Sequence, residues 1–170
     1  MSNVLARWNQ LSAEAAGKEI LDCCGSTAWA SELAARKPFH DDASLMAASD
    51  EVWASLATAD WLEAFSRHPR IGERKARQAA SAQSLAWSAQ EQARVADAEH
   101  ALQMALEEEN LEYERRFHRV FIVCATGKSA AEILAILRTR LQNDDATEWL
   151  QAAEEQRKIT NIRLKKWLSE

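Results

Sequence analysis

Only four glycines and two prolines interrupt this 170-residue chain. Those residue types make the tight reversals that an antiparallel β-fold needs between every pair of strands. So few of them argue against an all-β fold. Ala, Leu, Glu, Gln and Arg dominate instead, and all five favour helix. The expected fold class is therefore all-α. The length suits one domain with one core, 1–170. A hydrophobic share of 47% against 28% charged is the balance of an ordinary globular chain.

Apolar spacing and capping residues predict a single-domain, irregular bundle of about eight helices with one short extended segment near 120–125. Val4, Leu5, Trp8 and Leu11 mark the first helix. Ser12 caps the second, which carries Ile20, Leu21 and Cys24 and ends at Gly25. Ser26 caps the third, with Trp29 and Leu33 inward, and Pro38 stops it. Asp42 opens a fourth through Val52 and Leu56. Trp61, Leu62 and Phe65 mark a fifth, which must end near His68 because Pro69 follows. Residues 70–87 read as irregular, and a long helix runs from Ser88 to about Arg116. Val120–Ala125 is a short apolar run that fits either a buried strand or an extended segment. Ser129 and Glu132 form a capping box for a helix to about Leu141, and Asp145 caps a last helix to about Leu168.

Composition also excludes partners. The net charge is -5 and the basic residues are scattered, so no nucleic-acid partner is expected. No apolar stretch approaches the roughly 20 residues that span a bilayer, so no membrane partner is expected. Met1-Ser2-Asn3-Val4 does not open a secretion signal, and Leu168-Ser169-Glu170 is not a peroxisomal address. Cys23, Cys24 and Cys124 are an odd count with two vicinal members, which suits a reducing, cytoplasmic setting. His40, His68, His100 and His118 show no metal-binding spacing, so no metal is expected.

Four places could carry chemistry. His68 directly precedes Pro69, where the chain is rigid and non-helical, and an imidazole titrating near neutrality suits proton transfer there. The plainer reading is a cation meeting the last carbonyls of a helix. Ser88-Ala89-Gln90-Glu91-Gln92 is a second capping box. Its helix N-terminus could also hold a carbonyl-rich ligand, with Glu91 accepting from N–H groups. Phe121-Ile122-Val123-Cys124-Ala125 offers backbone donors and acceptors that must find partners: a polar heterocycle, or neighbouring helices and water. Cys124 itself reads as an inert core thiol. Arg163 lies among apolar neighbours, with its guanidinium aimed either at a ligand carboxylate or at one of the chain's glutamates.

Taken in order, several segments resemble one family. They are His68-Pro69-Arg70-Ile71-Gly72, Trp87-Ser88 with Glu91-Gln92, and Phe121-Ile122-Val123-Cys124-Ala125 followed by Gly127-Lys128-Ser129. Cys23-Cys24-Gly25-Ser26 with Trp29, Arg36-Lys37-Pro38-Phe39, Asn110 with Tyr113 and Arg116-Phe117, and Lys158-Ile159 with Arg163-Leu164 add to them. The set resembles 2-oxo-4-hydroxy-4-carboxy-5-ureidoimidazoline (OHCU) decarboxylases and spans most of the chain. The resemblance implies an all-helical enzyme that needs no cofactor, is often a homodimer, and makes (S)-allantoin and CO2 in urate breakdown. It assigns His68 and Glu91 as catalytic, with Arg163 beside them. It assigns Pro69, Ser88, Ala89, Gln90, Glu91 and Gln92, and Phe121, Ile122, Val123, Cys124 and Ala125, to substrate binding. Two departures stand out. Lys37 replaces an arginine before the proline, and Phe117-His118-Arg119-Val120 replaces a Phe-Gly-x-Pro run whose glycine would allow unusual backbone angles. A catalytically silent helical module that binds a ligand or another protein is the alternative, as is a different cofactor-free lyase on the same scaffold.

Overall fold

A computed structural model describes residues 2–71 and 100–170. They form eight helices: α1 (Asn3–Asn9), α2 (Ala13–Cys24), α3 (Thr27–Ala35), α4 (Asp42–Ser55), α5 (Thr58–Ser66), α6 (His100–Phe117), α7 (Ala130–Arg140) and α8 (Asp145–Trp167). No strand occurs among the described residues, so the expected all-α class is the observed one. No helix among them is long and apolar enough to cross a membrane. Their contacts gather into two compact units, Met1–Ala64 with Arg157–Glu170, and Phe65–Gln156.

In the first unit the helix ends fall where capping chemistry puts them. The Ser12 hydroxyl accepts from the Ala15 amide, and Gly25 closes α2 at φ 92°, a left-handed angle that glycine adopts without Cβ conflict. Ser26 then caps α3 at once. The fourth helix opens at Asp42 as expected, and the residue before it is its cap: the Asp41 carboxylate accepts from the Ser44 amide, and Ser44 answers with its own hydroxyl. Trp8 anchors the core. Its indole donates to Ala16 O at 3.0 Å, Phe39 stacks on it at 6.2 Å, and Trp167 meets it edge-on at 5.8 Å. Lys37 has a defined task here. Its ammonium donates to Trp8 O (3.3 Å) and Leu11 O (2.5 Å), carbonyls at the C-terminal end of α1, while lying over the Trp8 ring. Partial burial lowers its pKa.

The second unit packs α6 and α7 around Leu106, Tyr113, Phe117, Phe121, Ile133 and Leu137. The Ser129–Glu132 capping box opens α7 as expected. At α8 the cap is one residue early: Asp144, not Asp145, accepts from the Thr147 amide at 2.8 Å. Asp145 pairs instead with Arg119 at 2.8 Å. The Arg119 guanidinium lies 4.1 Å from the Trp149 ring centroid and 5.3 Å from that of Phe117. Between α6 and this arginine, His118 takes φ 54°. The resemblance leads to an expected glycine there, and here a histidine carries the left-handed geometry. The part of the long helix expected over 88–99 lies outside the described residues.

Candidate functional site

The proline after His68 determines how the histidine is presented. α5 ends at Ser66, and the His68 amide makes one last turn-type bond to Phe65 O at 3.1 Å. His68 and Pro69 are half-buried. The chain beyond them is tied to α6. The Arg70 guanidinium forks onto Glu114, with Nε donating to Oε1 and Nη2 to Oε2 at 2.8 Å. The Asn110 amide donates to Ile71 O at 3.1 Å and to Leu106 O at 2.7 Å. The histidine therefore stands on a short turn gripped two and three residues downstream.

Phe121–Ala125 is buried throughout, at 2–6% exposure, and has no regular secondary structure. Of the two readings the sequence allowed, the strand is not formed. Side chains take the place of a sheet partner. Arg140 Nη1 donates to Ile122 O at 2.5 Å, the Cys124 amide donates to Glu155 at 2.7 Å, and Lys128 Nζ donates to Cys124 O at 2.6 Å. Ala125 O accepts from the Lys128 amide at 3.0 Å. No described residue takes up the amide or the carbonyl of Val123, which is only 5% exposed. Such a main chain can serve a planar, polar ligand as both donor and acceptor.

The arginine that holds Ile122 belongs to a buried ionic cluster. Glu148 is fully buried and accepts from Arg140 Nε (2.8 Å), Arg140 Nη2, the Tyr113 hydroxyl and Asn143 Nδ2 (2.8 Å). Burial raises the Tyr113 phenol well above its ordinary pKa. Spacing did not single out Arg140, Glu148 or Glu155, because each meets its partner across a break between elements. Asn110, Tyr113 and Lys128 stood in the resembling segments without a task.

Arg163 lies in the first unit, whereas His68 and the 121–125 run lie in the second. Its stem is buried as expected, and one guanidinium bond goes to a main-chain acceptor, Asp22 O, at 3.3 Å. Next to Asp22, burial pushes the Cys23 thiol up and the Cys24 thiol up to about 12. Trp87, Ser88, Ala89, Gln90, Glu91 and Gln92 lie outside the described residues.

A histidine on a clamped turn and a buried main-chain run, both bonded to one helical framework, define a small all-α protein with a candidate site for a polar ring. Comparisons with known proteins narrow that class. The OHCU decarboxylase family matches residues 9–165. The uric acid degradation bifunctional protein TTL of Arabidopsis thaliana is 35% identical over 156 residues, covering 87% of this chain and 46% of the plant protein. The chain thus spans about half the length of that relative. The 2-oxo-4-hydroxy-4-carboxy-5-ureidoimidazoline decarboxylase of Amia calva is 33% identical over 129 residues, covering 75% of this chain and 73% of that protein. A crystal structure of an OHCU decarboxylase in the presence of (S)-allantoin superposes with a TM-score of 0.77 at 32% identity, covering 89% of this chain and 98% of that one. The chain belongs to the OHCU decarboxylase family.

Proposed function

We propose that the chain decarboxylates OHCU to (S)-allantoin and CO2 in urate degradation, without a cofactor. The supporting observation is the His68-Pro69 turn and the buried Phe121–Ala125 run, both tied to one framework in a chain of this family. The substrate carries a carboxylate and a hydroxyl on one ring carbon, with a ureido group on the next. When the bond to the carboxylate breaks, CO2 leaves and its electron pair passes into the conjugated ring. A substrate with its own electron sink does not require one from a cofactor. The protein's part is to orient the carboxylate out of the ring plane and to deliver one proton to one face.

In this reading His68 meets the hydroxyl and carboxylate region and donates the proton. Glu91 accepts from the ureido or ring N–H groups and helps hold His68 in its working protonation state. Pro69, Ser88, Ala89, Gln90 and Gln92 line the ligand. Main-chain groups of Phe121, Ile122, Val123, Cys124 and Ala125 read the polar edge of the ring. Arg163 carries over from the family resemblance as a third functional residue, with no step assigned to it. The reading includes a cytoplasmic homodimer: the resemblance supports the assembly, and the free thiols of Cys23, Cys24 and Cys124 support the compartment.

The test uses OHCU freshly generated from urate and follows the optical activity of the allantoin that appears. Wild type should give a rapid S-selective signal, and His68→Asn should lose it while keeping its fold. A wild-type signal no faster than the enzyme-free, racemising background would leave the silent binding module as the better account.

A further inference from the structure

We propose that one face of α6, formed by Asn110, Tyr113 and Glu114, is a positioning element for the reaction. It would set the spacing between the His68 turn and the Phe121–Ala125 run, and so fix which face of the ring receives the proton. The inference rests on the decarboxylase reading above.

The three residues are spaced i, i+3 and i+4, so they share one side of one helical turn. Two of them grip the histidine turn: Glu114 takes the Arg70 fork, and Asn110 donates to Ile71 O. The third reaches the other wall. The Tyr113 hydroxyl donates to Glu148, Glu148 holds Arg140, and Arg140 donates to Ile122 O. The Tyr113 ring also packs edge-on against Phe121, with centroids 5.1 Å apart. The histidine turn and the main-chain run are thus both referenced to the same few residues of a rigid helix.

Asn110 adds an independent sign. It is 2% exposed, and its Oδ1 has no hydrogen-bond partner among the described residues. A buried acceptor left unmet costs stability. A residue kept at that cost for its grip on Ile71 fits a positioning role better than a packing role. Misplacing a reacting group by about 1 Å can lower a rate by about 100-fold, so loosening this face should act on turnover more than on binding.

The experiment measures kcat, KM, the enantiomeric excess of freshly formed allantoin and Tm for wild type, Asn110→Ala, Glu114→Gln, Glu114→Ala and Tyr113→Phe. Asn110→Ala and Glu114→Ala should lower kcat by about 10- to 100-fold with KM nearly unchanged, and the enantiomeric excess should fall. Glu114→Gln, which keeps one acceptor for Arg70, should recover part of both. Tyr113→Phe should show a smaller loss of the same kind. If Asn110→Ala does not fold, Glu114→Gln and Tyr113→Phe carry the test, because each preserves the buried volume. A fast, selective wild type whose variants lose Tm but keep kcat and enantiomeric excess overturns this proposal alone. A wild type no faster than the enzyme-free reaction overturns the decarboxylase reading, and this inference with it.

Discussion

Glu148→Ala is the substitution whose cost the structure bounds best. Glu148 is fully buried, and its partner Arg140 is 4% exposed. Removing the carboxylate leaves the Arg140 Nε and Nη2 groups, the Tyr113 hydroxyl and Asn143 Nδ2 without that acceptor. Among the described residues Arg140 keeps its bond to Ile122 O and its place over the Phe121 and Tyr113 rings. Stranding one member of a buried ion pair costs about 3–5 kcal/mol, out of roughly 5–15 kcal/mol for a typical domain. At about 2–4 °C per kcal/mol for a chain of this size, Tm should fall by roughly 6–20 °C. Thermal unfolding followed by circular dichroism reads the shift, and a urea titration should give a lower midpoint at unchanged slope. The double variant Arg140→Met with Glu148→Leu removes the charge instead of stranding it, so it should recover most of the loss. It should still be a slower enzyme, because nothing then holds Ile122 O. A loss under about 1 kcal/mol in Glu148→Ala, within the range of an exposed pair, would refute the reasoning. So would a double variant no more stable than Glu148→Ala.

His118→Gly should raise stability by about 1 kcal/mol, because the exposed histidine holds φ 54° where glycine pays no Cβ penalty; chemical denaturation checks it. Lys37→Met should cost about 1–3 kcal/mol by removing a charged donor from the Trp8 and Leu11 carbonyls, with Lys37→Arg closer to wild type in Tm. Asp41 and Asp144 have pKa values lowered, first by the capped amides of Ser44 and Thr147. Their contribution is therefore present above the unfolded carboxylate value of about 3.9 and is lost as pH falls through the lower folded values. Asp41→Asn with Asp144→Asn should flatten the acid limb of the stability curve in that window, and acid titrations at fixed urea would show it.

How much could be read in advance depended on how local the cause was. Ser12, Gly25, Ser26 and the Ser129–Glu132 box act within four residues of themselves, and each ends or begins a helix where the sequence indicates. At each pair of tandem aspartates the first member is the cap: Asp42 opens its helix as expected, but Asp144 rather than Asp145 caps the last one. Composition does not say which member takes the extended conformation, and Asp41 does so at φ -154°, ψ 168°. The run at 120–125 was ambiguous for a different reason. Its apolar character shows burial, but what satisfies its backbone comes from Arg140, Lys128 and Glu155 on or before other helices. Arg163 was legible as a buried stem, while its Asp22 O partner lies 141 positions away and leaves no periodic signal. At 118, where the resemblance leads to an expected glycine, the chain has a histidine held at φ 54°.

The buried run has a consequence for how its selectivity can change. Ile122 and Cys124 are fixed through peptide groups, while no described residue takes up the peptide group of Val123. Every amino acid except proline supplies the same peptide donor and acceptor. If the run binds substrate as proposed, a conventional alanine survey of 121–125 would report packing losses and miss the recognition. Drift within the run is likewise cheap, provided bulk is conserved. New substrate preference would have to enter through the surrounding side chains that aim the peptide planes, which makes distant positions such as 140 and 155 the ones to randomise in directed evolution.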